Sequence, residues 1–183
     1  MTDEMNAAME WTEAKLRHAR LHLAELRQHA GKGSGDDFER AHIDAFLHQL
    51  IGAQDAFLQE VNLYYRCALS ADQVKLWGLR QCLEGRGERS EELDTLALLL
   101  NTPATWLSDA TEMRRQCTHR RDVPRTFFVG GETDRDVHRR DPKTGALVEQ
   151  DYAVLFQTWV DEMTNLLARL RTSARRSANN IPS

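Results

Sequence analysis

Apolar and small residues in the first thirty positions recur at Met5, Met9, Thr12, Leu16, Ala19, Leu23, Leu26 and Ala30. Alternating steps of four and three draw one stripe along a helix, so the pattern predicts a long first helix over Asp3 to Ala30. Gly31-Lys32-Gly33-Ser34-Gly35 stops it, and Asp36 or Asp37 can cap the next helix. That second helix has the clearest seam, Ile43, Leu47, Leu50, Gln54, Phe57, Val61 and Tyr64, widened by Phe46, Leu58 and Tyr65. A stripe that broad touches two neighbours. The first two helices are expected to pair as an antiparallel hairpin, and their seams are also candidate surfaces for a second copy of the chain.

Shorter segments come next. Ser70-Ala71-Asp72-Gln73 matches a capping box and predicts the start of a third helix there, with Val74, Leu76, Trp77, Leu79 and Leu83 as its apolar surface and Gly85-Arg86-Gly87 as its end. Ser90 opens a fourth helix whose Leu93, Leu96, Ala97 and Leu100 share a face. Thr102-Pro103 predicts the start of a fifth, with Trp106, Ala110, Met113 and Cys117 as its seam, ending before Pro124. Between 125 and 148 the helical rhythm breaks. Thr126-Phe127-Phe128-Val129 before two glycines, and a turn at Asp141-Pro142-Lys143-Thr144-Gly145 between Val137 and Val148, predict a small β-hairpin-like excursion. A last long helix over about Gln150 to Arg175 buries Tyr152, Leu155, Phe156, Trp159, Met163, Leu166, Leu167 and Leu170. The expected fold class is therefore all-α: an up-down bundle of five or six helices forming one domain over 1–176, with a loose tail over 177–183.

Composition narrows the class. Of 183 residues, 41% are hydrophobic and 28% charged, with ten glycines and four prolines, which fits one globular core. The N-terminus lacks the basic start and apolar run of a signal peptide, and no apolar stretch is long enough for a bilayer, so the expected address is the cytoplasm, with no membrane partner. Cys67, Cys82 and Cys117 form no C-x-x-C pair and no even-numbered framework, and read as reduced thiols. A net charge of −4 argues against coating nucleic acid by bulk electrostatics. The charge is uneven, however. Residues 114 to 125 hold five arginines and His119 against Asp122 alone, a candidate anion site.

That patch contains Arg114-Arg115-Gln116-Cys117-Thr118-His119, an R-x4-H spacing. Phosphodiester cleavage needs a base for the attacking hydroxyl and a fixed cation for charge developing on phosphate oxygens, and histidine with arginine supplies both without a metal. Five positions along a helix place the two about 140° apart, so one helix aims both at one atom only if its end unwinds, whereas two copies meeting at an interface can share the work. The motif resembles the R-x4-6-H motif of the HEPN superfamily, helical bundles that include metal-independent RNases, and the order of long helices is also similar. The resemblance implies a homodimer that binds or cleaves RNA, with His119 as general base or acid and Arg114 stabilising the phosphorane. Arg115, Arg120 and Arg121 stand beside them as candidate phosphate ligands. Where the family often carries asparagine, aspartate, histidine or lysine after the arginine, this chain has Arg115. Separately, Phe46-Leu47-His48 through Tyr64-Tyr65-Arg66 is similar to the long second helix of some uncharacterised bacterial helical proteins, which implies no activity. Amphipathic packing accounts for it equally, with the phenols reaching polar partners.

Two other functions fit the sequence. The lack of any P-loop, dinucleotide-binding turn, nucleophile elbow or H-E-x-x-H helix is compatible with a non-enzymatic interaction module that binds a protein partner and needs no cofactor. A bundle metalloprotein is the third class: His18 and His22 lie four apart, as do Asp44 and His48 on the next helix, so facing helices could join His22, Asp44 and His48 on one ion, although no E-x-x-H occurs. The terminal arginines Arg169, Arg171, Arg175 and Arg176 suit the dipole of the last helix or a phosphate.

Overall fold

The computed structural model describes residues 2–29, 36–118, 136–140 and 147–179. Six helices carry the architecture: α1 (Asp3–His29), α2 (Asp36–Tyr64), α3 (Leu76–Glu84), α4 (Glu91–Asn101), α5 (Trp106–Thr118) and α6 (Tyr152–Asn179). Two short strands, β1 (Asp136–Arg140) and β2 (Leu147–Asp151), pair antiparallel with Val137 opposite Gln150 and Arg139 opposite Val148. The fold is an all-α bundle with one β-hairpin inserted before its last helix.

The seams read from the sequence are the core. On α1, Met5, Thr12, Leu16, Ala19, Leu23 and Leu26 are buried, and on α2 so are Ile43, Phe46, Leu47, Leu50, Gln54, Phe57, Leu58 and Val61. α1 and α2 run antiparallel, since Lys15 meets Gly52 near one end and His22 meets His42 near the other. Those seams close on each other and on α6, so they are spent within one chain and are not the surface a second copy would use. α6 contributes all eight expected core residues, with Phe156 stacked on Phe46 at a ring separation of 4.3 Å. α2 lies at the centre, packed by α1, α3, α5 and α6. Among the described residues no helix is long and apolar enough to cross a membrane.

Element boundaries depart from the sequence reading in three places. α3 starts at Leu76 instead of at the Ser70 capping box. Gln73 does reach back to the Ser70 amide, but the Ser70 hydroxyl donates to the Gln73 carboxamide at 2.8 Å and Gln73 N donates to Ser70 O. The motif therefore closes a turn, because the Gln73 amide that a capping hydroxyl would accept from is spent on the Ser70 carbonyl. Likewise α5 begins at Trp106, with the Thr105 hydroxyl accepting from Ser108 N at 3.2 Å, while Ala104 takes a left-handed φ of 68° that no helix start allows at Pro103. α6 continues to Asn179, because no breaker occurs before Pro182. By contrast Ser90 caps α4 as expected, accepting from Leu93 N at 3.3 Å.

The cysteine reading is corrected. Cys67 and Cys82 form a disulfide, with α-carbons 6.1 Å apart and a separation of 15 positions, and Cys117 takes no part in it. After α2 the chain turns back through left-handed Arg66 and Ala68, which brings Cys67 against α3. The Arg86 guanidinium donates to the carbonyls of Tyr65 and Arg66 at 2.8 and 2.9 Å, and the Asn62 side chain bonds both backbone groups of Leu69. Spacing along the sequence carries none of this, since the pairing depends on a turn between two helices.

Candidate functional site

α5 buries Leu107, Ala110 and Met113 against the bundle, which turns its neighbouring positions toward the edge of α2. There Arg114, with 31% of its side chain exposed, places Nη1 3.7 Å from Oδ2 of Asp55. The Asp55 side chain is itself more than half exposed. Partial burial pushes its pKa above the ordinary carboxylate value, and Arg114, His48 and Lys15 pull the other way. His48 lies seven residues before Asp55, two turns along the same face of α2. Lys15 crosses from α1 over Gly52, where an added Cβ would lie 3.3 Å from Cδ, and its ammonium sits 4.9 Å from the ring centre of exposed Trp11. The edge of the bundle thus gathers Arg114, Lys15 and His48 from three helices around one carboxylate.

Arg115, one residue on, points elsewhere, as 100° per residue requires. Its guanidinium holds Glu112 at 3.0 and 3.1 Å, and that bond, with a second from Gln116, holds the Glu112 carboxyl below its usual range. A phosphate would have to compete with Glu112 for Arg115. His119, Arg120 and Arg121 lie outside the described residues. Of the five candidate site residues, the structure therefore places two, on diverging sides of α5.

The structure separates the expected metal ligands. On α2, His42 and Asp44 are 200° apart, so the face that meets α1 carries His42 and leaves Asp44 and His48 in solvent. His22 meets His42, with the two Nδ1 atoms 3.1 Å apart. The trio His22, Asp44 and His48 does not assemble, and among the described residues no group of three histidine, cysteine or acidic side chains is gathered around a possible ion. Arg171, read as part of a terminal basic run, instead turns inward. It donates Nε and Nη2 to the two carboxylate oxygens of Glu60, both at 2.8 Å, and Nη1 to Glu13. Burial works against its charge, but the bonds to Glu60 and then Glu13 outweigh this and hold its pKa above the ordinary arginine value. Asp55, Lys15 and His48 were missed as neighbours of Arg114; the seven-residue spacing of His48 and Asp55 was the one signal available for them.

Fold and site together define a helical bundle with a cationic edge where α5 meets α2. No family model, curated protein or solved structure matches the chain.

Proposed function

We propose that the chain is a HEPN-like RNA-binding protein that cleaves RNA without a metal, acting in the cytoplasm as a homodimer through Arg114 and His119. The observation that carries this is the position of Arg114. Its guanidinium is anchored by Asp55 yet about a third exposed, at the edge of the bundle, five residues before His119 and beside Lys15 and His48. An arginine at such an edge can meet a phosphate, and fixed cations are what a pentacovalent phosphorane requires. His119 takes the proton of the attacking ribose hydroxyl or delivers one to the leaving oxygen. The second copy supplies the partner of each pair, which resolves the roughly 140° between the two positions along a helix.

Purified chain is incubated with mixed RNA in excess chelator, and its mass is measured by light scattering. His119→Ala should lower cleavage by about 10²–10⁴-fold, and Arg114→Ala should lower it without changing the dimer. Cleavage undiminished in His119→Ala, or a strictly monomeric active chain, refutes the assignment.

A second reading, a partner-binding module, is favoured by large apolar side chains left in solvent: Trp77 is 62% exposed and Leu98 66%. Co-purification of one defined protein, lost in Trp77→Ala and Leu98→Ala but kept in His119→Ala, would select it over the nuclease.

A further inference from the structure

Two histidines that belong to neither reading meet across the α1–α2 hairpin. His22 and His42 are each half-buried at the rim of the helix interface, with ring centres 5.2 Å apart and planes at 61°. Their Nδ1 atoms approach to 3.1 Å. His42 is held from its other side by Phe38, whose ring lies 4.3 Å away and also touches His29 at 4.7 Å. Two neutral imidazoles in such a contact share a single hydrogen: one Nδ1 donates and the other accepts.

That spacing is close to what a metal ion imposes. Two nitrogens at about 2.0–2.1 Å from a tetrahedral ion lie about 3.3 Å from each other. We propose that His22 and His42 form a two-imidazole site for a divalent first-row transition ion, Zn²⁺, Ni²⁺ or Cu²⁺, which cross-links α1 to α2. The separation opens by only a few tenths of an ångström, and the rings turn so that both Nδ1 lone pairs face the ion. The shared hydrogen gives way to the ion, and the ring that carried it on Nδ1 takes up a hydrogen on Nε2 from solvent exchange, so neutral rings release no net proton. Imidazole nitrogen is a ligand these ions favour, and Cu²⁺ should bind tightest of the three.

Neighbours support the assignment. His18 lies one turn before His22 and Glu25 one turn after, both near enough to act on its charge, and Glu25 also faces His29 at 3.4 Å. Partial burial, then His42 and His18, hold His22 below the ordinary imidazole pKa, while Glu25 opposes them. Since no third ligand is already gathered among the described residues, water completes the shell and the ion exchanges readily.

The full chain in a Cys117→Ser background, stripped with chelator, is titrated with ZnCl₂ and CuCl₂ at pH 7.5 by calorimetry. One equivalent should bind. His22→Asn and His42→Asn should each weaken binding at least about tenfold, and Asp44→Asn with His48→Asn should leave it unchanged. Absence of binding, equal binding in His22→Asn and His42→Asn, or loss in the Asp44/His48 variant overturns the site. Imidazole ¹⁵N spectra of the unsubstituted chain remove any dependence on how the variants fold: Zn²⁺ must move the Nδ1 signals of His22 and His42, and a response confined to other histidines is equally fatal.

Discussion

Replacing Arg171 with methionine isolates a buried ion pair that ties α6 to α2. Glu60 has no exposed side-chain surface, and Arg171, 13% exposed, grips both its oxygens at 2.8 Å from a helix 111 residues away. Methionine keeps the volume and packing of the stem but removes the fork, leaving a buried carboxylate without its cation. Stripping one partner from a buried pair costs about 3–5 kcal/mol, far above the ~0–1 kcal/mol of an exposed pair. Glu13 makes the comparison within the same network. Its side chain is 43% exposed, so Glu13→Gln should cost no more than about 1 kcal/mol although it meets the same guanidinium. For a chain of this length each kcal/mol moves the melting temperature by roughly 2–4 °C, which puts Arg171→Met about 6–20 °C below the parent. The double variant Arg171→Met with Glu60→Leu removes both charges together and should recover most of the loss, because replacing a whole buried pair with apolar groups is often neutral. Thermal and urea unfolding followed by circular dichroism at 222 nm measures these chains together with Glu60→Leu alone. A loss under about 1 kcal/mol in Arg171→Met, or a double variant as unstable as the two single losses added, would show that the pair contributes through packing and that its charges are of no consequence.

Two further outcomes concern α3 and its surroundings. Cys82→Ser opens a cross-link with a separation of 15 positions and should cost about 3 kcal/mol by loop-closure entropy, read as a lower urea midpoint that reductant reproduces in the parent chain; thiol titration finding three free cysteines without reductant would dispose of the bond. Gly78→Ala should destabilise by about 1–3 kcal/mol despite alanine's better helix propensity, since its Cβ would lie 2.6 Å from the backbone oxygen of Gln73, and a raised urea midpoint would refute that contact.

What could be read from the sequence alone was whatever repeats with the helix. Leu16, Leu23 and Leu26, or Ile43, Leu47 and Leu50, fall into place because burial and the 3.6-residue period are the same fact seen twice, and long seams leave no second interpretation. Short motifs fared unevenly for a definite reason. Ser90 and Ser70 both stand where a side chain suited to a cap belongs, yet only at Ser90 does the chain continue as helix, and at Ser70 the same groups satisfy one another in a turn. A local pattern states which bonds are available, and the packing of Leu79 and Leu83 decides where the helix begins.

Long-range chemistry was not legible for the same reason carried further. Glu60 sits on the core face of α2, where a charged residue is tolerable only with a cation opposite, so the sequence could have flagged its need for a partner; nothing in it singled out Arg171 from Arg169, Arg175 or Arg176. His22 meets His42 and not Asp44 because a two-residue step on a helix turns the side chain by 200°, a distinction that needs the rotation of α2 against α1 to a fraction of a turn. The Arg114 neighbourhood shows the limit most directly. Arg114 and Arg115 are equivalent in composition and adjacent in sequence, but one is anchored on α2 by Asp55 and the other is occupied by Glu112 on its own helix. The first has its orientation set by tertiary structure and the second only by its neighbour three positions back, and a phosphate arriving at this edge competes with a carboxylate for either. The asymmetry makes Arg114 the residue whose loss should matter most to any anion the edge receives.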